Sequence, residues 1–232
     1  MRRAWILSAS LVMLGASAFA APLCVVDGTL QSYITGNDTF ANACQIGDKL
    51  FWGFTLTPGP SSQGFEPSAA SIQVQPLPGD GLTNIGISFN SGGWIADPGF
   101  PIDSVIGFHV AALSGAPVIH DAALIVTGAL SGVGTANVTE TLSPAVGGIP
   151  HSSPLFAQLP GPVSDHIDFS GTLQSTFFVQ DEIFLTANTG NAHISIIEND
   201  FSELTTPEPL ISGLVGSGLL LLGLIGRKRL KR

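Results

Sequence analysis

The sequence predicts an all-β fold, an antiparallel β-sandwich or jelly roll of about nine strands, and three observations carry that prediction. Apolar residues across the middle of the chain recur every second position instead of every third or fourth. Glycine and proline punctuate them, 28 and 16 of 232 residues; about a fifth of the chain lies above the ~12% of average proteins and below the ~25–30% of low-complexity disorder. No long amphipathic helix interrupts the alternating runs, as parallel βαβ units would require.

In chain order, a helical turn is predicted only at Thr29 to Ile34. Leu50, Trp52, Phe54 and Leu56 then alternate with Phe51, Gly53, Thr55 and Thr57, a strand that places Trp52 on its apolar face. Ile72 and Val74 alternate with Gln73 and Gln75, and Ile85, Ile87 and Phe89 with Gly86, Ser88 and Asn90. Ile106, Phe108 and Val110 follow, with His109 on the opposite face. Further strands are predicted at Ala122 to Thr127, Ala136 to Thr141, His166 to Leu173, Thr176 to Leu185 and Ala192 to Glu198. Turns are predicted at Pro78-Gly79-Asp80-Gly81, Ser91-Gly92-Gly93, Asp97-Pro98-Gly99, Pro160-Gly161-Pro162 and Asn188-Thr189-Gly190-Asn191. Leu142 to Val163, with five prolines, reads as a long loop or a hinge between sheets. One domain accounts for the strands, and no internal repeat stands out.

The two ends read as addresses. Met1-Arg2-Arg3, an apolar stretch from Ala4 to about Leu14 and the small residues Gly15 to Ala20 form a signal peptide over 1–20, with Ala18 and Ala20 as the A-x-A cleavage residues. At the other end Leu210 to Gly226 is 17 uncharged residues. As a helix at ~1.5 Å per residue this is roughly 25 Å, spannable across a ~30 Å hydrocarbon core when its basic flank snorkels. That flank is Arg227, Lys228, Arg229, Lys231 and Arg232, placed in the cytoplasm by the positive-inside rule. Residues 21–206 between them are the exported domain.

Directly before the apolar segment stands Thr206-Pro207-Glu208-Pro209, which is held extended by its prolines. The order Pro-Glu-Pro, short Gly/Leu-rich span and terminal basic cluster resembles the PEP-CTERM sorting signal of Gram-negative bacteria, over residues 207–232. That resemblance implies recognition of Pro207, Glu208 and Pro209 by a membrane-embedded exosortase. It further implies an inner-membrane-tethered precursor handled by the export machinery, removal of the tail, and a mature form at the cell surface or outside the cell. A second resemblance, to exported PEP-CTERM proteins of unassigned function, rests on three pieces. These are Cys24, Gly28 to Ile34, and Cys44 to Phe51, with Ala192 to Glu198 similar to their last strand.

Charge excludes whole classes of partner. The chain has 8 Lys+Arg against 17 Asp+Glu, a net charge of -9, but Lys49 is the sole basic residue between 21 and 206, against 16 acids (the 17 less Glu208). Nucleic acid and phosphorylated substrates need a basic patch that this region lacks. Cys24 and Cys44, an even pair in an exported chain, predict one disulfide.

Enzyme signatures are missing from the sequence: it has no Gly-x-Ser-x-Gly elbow, no His-Glu-x-x-His frame, no P-loop and no dinucleotide fingerprint. Only a spatially assembled triad would make a secreted hydrolase. Asp165-His166-Ile167-Asp168 and Glu198-Asn199-Asp200 are the nearest acid clusters, without the spacing of a calcium loop, and read as solvating surface; no metal or cofactor is expected. Trp94, after Gly92-Gly93, is the candidate ligand contact. The resulting expectation is a non-enzymatic structural protein of the cell surface or of an exopolysaccharide or biofilm matrix. The alternative is an extracellular carbohydrate-binding module.

Overall fold

The computed structural model describes residues 21–63, 66–79, 85–114, 116, 118–144, 154–169 and 175–203. The signal peptide with Ala18 and Ala20 lies outside the described residues. So does the sorting tail with Pro207, Glu208, Pro209, Arg227, Lys228, Arg229, Lys231 and Arg232.

In chain order the elements are β1 (Gly28–Thr29), α1 (Leu30–Gly36), a 3-10 turn (Phe40–Asn42), β2 (Cys44–Ile46), β3 (Lys49–Pro58), a second 3-10 turn (Ala69–Ser71), β4 (Gln73–Leu77) and β5 (Ile85–Ala96). They continue with β6 (Ile102–Ala112), β7 (Ile119–Leu130), β8 (Gly134–Pro144), β9 (Leu155–Leu159), β10 (Ser164–Asp168), β11 (Thr176–Ala187) and β12 (Ala192–Glu203). Two six-stranded sheets result, with orders β1-β4-β5-β12-β7-β10 and β2-β3-β6-β11-β8-β9, and every strand pair is antiparallel.

Among the described residues the expected nine strands become twelve. The additional ones are β1, β2 and β9, of two, three and five residues. Such short strands carry too little alternation to be told from loop, and β9 sits inside the proline-rich stretch that reads as a hinge. The short strands lie at sheet edges, where length limits pairing with other chains. Edge strands β9 and β10, from opposite sheets, are tied by the Asp165 carboxylate, which accepts from the Phe156 N–H at 2.9 Å.

Alternating side chains of both sheets meet in one core. Phe108 of β6 is its hub: it lies 6.3 and 5.8 Å from Phe51 and Phe54 of β3, and 5.8 and 6.3 Å from Phe89 of β5 and Phe201 of β12 in the facing sheet. Helix α1 starts at Thr29, whose hydroxyl accepts from the Ser32 N–H, and it buries Leu30 and Tyr33. The predicted disulfide is present between Cys24 and Cys44, with the Cα atoms 4.8 Å apart.

Two irregularities decide which side chains face solvent. In β3, Trp52 pairs with His109 but Thr55 pairs with Gly107, so Gly53 and Phe54 together oppose Phe108 alone; this is a β-bulge, with Gly53 at φ +69°. In β5, Asn90 pairs with Ile196 and Trp94 with Ile194, leaving Ser91, Gly92 and Gly93 opposite Ser195. The predicted turn at Ser91-Gly92-Gly93 is therefore a bulge within one continuous strand, because glycine inside a strand marks such a site as readily as a turn. The β3 bulge inserts one residue against its partner and the β5 bulge two, and across each the inward phase passes between odd and even positions. Leu50 and Trp52 move off the apolar face while Phe51 joins Phe54 in the core, and Trp94 and Ala96 turn inward.

Candidate functional site

Trp94 is 0% exposed, so the ligand contact expected there is corrected: Trp94 is core. Trp52, expected in the core, is the tryptophan on the outer surface. It stacks on its register partner His109 with ring centroids 5.1 Å apart and planes at 14°. Phe40, from the first 3-10 turn, meets it edge-on at 5.0 Å. Across His109, its partner on β11, Phe178, lies at 4.8 Å. Four rings from four neighbouring elements thus form a band across the outer face of one sheet. Its pitch of about 5 Å is that of the ~4.8 Å strand spacing.

Glycines make the floor of this band. A Cβ on Gly53 would stand 2.8 Å from His109 Nδ1, and one on Gly107 would stand 2.6 Å from Thr55 Oγ1 and 3.3 Å from Phe178. The Gly53 N–H donates to the Asn37 carbonyl at 2.7 Å, and the Asn37 side chain donates to the Asn42 carbonyl at 2.7 Å. The bulge is thereby tied to the turn that carries Phe40. Burial lowers the His109 pKa from its ordinary value, so the imidazole is neutral at neutral pH and the band is uncharged. Phe40 is 61% exposed.

Beside the band the same face carries polar side chains. Ser143 of β8 is the register partner of Phe178, and Thr141 that of Gln180, which is exposed, as is Glu182. An array of rings next to hydroxyl, amide and carboxylate groups can stack on an apolar surface and hydrogen-bond at its rim. Among the described residues of this face no hydroxyl is hydrogen-bonded to a histidine or carboxylate.

The acid clusters singled out in the sequence serve elsewhere. Asp165 accepts from the backbone N–H groups of Phe156 and His166. His120 of β7 stands between carboxylates, with Nε2 3.3 Å from Asp168 and Nδ1 3.8 Å from Asp121, and the Ser202 hydroxyl donates to Asp121. The carboxylate, not the imidazole, contacts the serine, which is the wrong order for a base-activated nucleophile. Asn199 is not surface at all; it is buried between the sheets. Among the described residues no group of three or more His, Cys, Asp or Glu is placed to hold a metal ion.

No family model and no curated protein matches the chain. Two solved structures are similar to it at low level. One is TmCBM61 in complex with β-1,4-galactotriose, at 8% identity over 72% of this chain and 92% of that one, with a TM-score of 0.34. The other is the family 11 carbohydrate-binding module from Clostridium thermocellum in complex with a β-1,3-1,4-mixed-linked tetrasaccharide, at 10% identity over 65% and 89%, with a TM-score of 0.25. Such scores are too low to bear on ligand or role.

Proposed function

We propose that this chain is an exported, non-catalytic glycan-binding protein of the cell surface or matrix, and that the Phe40–Trp52–His109–Phe178 band is its binding face. The observation that carries the reading is the band itself, four uncharged rings aligned across the outside of a sheet with Gln180, Thr141 and Ser143 beside them. Pyranose rings have apolar C–H faces and hydroxyl-rich edges, which match rings bordered by hydrogen-bonding side chains. The charge balance favours a neutral polysaccharide, since one basic residue against 16 acids over residues 21–206 repels uronates and sulfates. Export and tail removal are proposed from the order of signal peptide, Pro-Glu-Pro, apolar span and basic cluster. A matrix role then follows from glycan binding and needs no separate chemistry.

Affinity electrophoresis of the full chain in detergent, through gels containing neutral β-glucan, galactan or alginate, tests the proposal. A ring contact is worth about 0.5–1.5 kcal/mol and 1.4 kcal/mol is tenfold in affinity. Retardation by a neutral glycan is therefore expected to weaken about tenfold in Trp52→Ala and in Phe178→Ala, with no retardation by alginate. Retardation that both variants retain in full would remove the band from the binding face.

A further inference from the structure

The space between the sheets holds two carboxyl groups. Glu140 of β8 and Asp181 of β11 are register partners, both 0% exposed and both on the inward phase of their strands. Asn199 of β12 reaches across from the facing sheet, and its Nδ2 donates to Asp181 Oδ2 at 3.0 Å. Asp181 Oδ1, both Glu140 oxygens and Asn199 Oδ1 are buried without a hydrogen-bond partner among the described residues. Acceptors therefore converge here with one amide as donor. Two bare carboxylates in that position would each suffer a desolvation cost and repel one another, and a proton on either supplies the missing donor.

Among the described residues, the neighbouring elements bring no compensating cation. Asp200 of β12 adds further negative charge beside Glu140. Leu155 of β9 is the other register partner of Glu140, and Ile106 of β6 is that of Asp181. Lys49 lies on β3, three strands from β8 in the sheet order, with its ammonium 3.2 Å from Asp48.

We propose that Glu140 and Asp181 form a proton-holding carboxyl pair, locked by Asn199 between the two sheets, which makes this sandwich an acid-stabilised fold that loosens as its surroundings turn alkaline. Burial, then the neighbouring Asp181 and Asp200, push Glu140 well above the ordinary carboxylate range. Burial pushes Asp181 up to about 7 against the opposing hydrogen bond from Asn199. Asp200, half-buried beside Glu198, is raised to about 6. Folding thus takes up protons. The contribution is fully present below the ordinary carboxylate range near pH 4 and is lost as pH rises through about 7, opposite in sign to common acid denaturation.

Thermal melts of the full chain in detergent from about pH 5 to about pH 9 are expected to show the melting temperature falling by at least about 5 °C. In the double variant Glu140→Gln, Asp181→Asn, which keeps volume and removes titration, that slope is expected to flatten. Should the variant fail to fold, infrared spectra of the wild type decide alone: a protonated-carboxyl C=O band persisting at neutral pH and vanishing at alkaline pH is expected. A level or rising wild-type melting temperature, an unchanged slope in a folded double variant, or no such band at neutral pH would overturn the proposal. So would a melting temperature raised by calcium and lowered by chelator at equal ionic strength, which would put a cation in place of the proton.

Discussion

Trp94→Ala is expected to lower the unfolding free energy by about 3–5 kcal/mol, the range for deleting a large buried aromatic side chain, while Trp52→Ala costs on the order of 1 kcal/mol. The asymmetry comes from placement, because the residue type is the same. Trp94 belongs to the contiguous core with Ile194 and Ile87, and its indole N–H has no partner among the described residues, so truncation there forfeits packing and leaves a cavity. Trp52 forfeits ring contacts with His109 and Phe40 on a face that stays wet. Urea unfolding of the two variants measures this directly as a change in midpoint at constant m. Equal losses, or the larger loss at Trp52, would mean that the two bulges do not set the facing of β3 and β5.

Replacing Cys24 and Cys44 together by alanine is expected to cost about 3 kcal/mol, the chain-entropy value for a loop of this length, or roughly 6–12 °C in melting temperature. Local chemistry makes this arm depend on its staple. Leu23, Val25 and Val26 are 76%, 66% and 69% exposed, so hydrophobic burial does little to hold the segment down. What holds it beside the disulfide is polar: Cys24 N–H to the Gln45 carbonyl at 3.0 Å, Gln45 N–H to the Pro22 carbonyl at 2.8 Å, and the Tyr33 hydroxyl to the Val25 carbonyl at 2.7 Å. Burial of that phenol pushes its pKa up to about 12, so it remains a donor over the whole stable range. Thermal melts with and without reductant, on the wild type and the double variant, check the effect. Indistinguishable curves would show that the arm contributes nothing the disulfide protects.

Much of the fold is legible in the residues, and the exceptions have identifiable causes. Alternation at Ile106, Phe108 and Val110 correctly sends His109 outward, and the long strands β7, β8, β11 and β12 lie where β-branched and aromatic residues recur at period two. The facing of the two tryptophans turns on two glycine bulges. Gly53 and the Gly92-Gly93 pair are each compatible with simple continuation, a turn or a bulge, and only the ladder to the neighbouring strand selects the bulge. A phase slip of one residue then exchanges the roles of the two tryptophans, since side-chain direction in a strand alternates strictly.

The buried carboxyl pair shows the converse. Ala136, Val138, Glu140 and Leu142 share one face of β8, as do Phe177, Val179, Asp181, Ile183 and Leu185 of β11. Both acids can therefore be read as inward from periodicity alone. Reading the acids as dispersed surface charge overlooks that signal. What periodicity does not contain is the strand order that sets Glu140 beside Asp181 and brings Asn199 across from the other sheet.

Which tryptophan meets solvent and ligand decides the facing of β3 and β5 and the binding face together. In a Trp5→Phe background, acrylamide quenching of Trp94→Phe and Trp52→Phe isolates Trp52 and Trp94 in turn. Emission from Trp52 is expected to be readily quenched and to become shielded when the retarding neutral glycan is added, while emission from Trp94 resists quencher and ignores glycan. A quenchable Trp94, or glycan that shields Trp94 and leaves Trp52 unchanged, would contradict both the bulge-determined facing of the strands and the assignment of the aromatic band as the binding face.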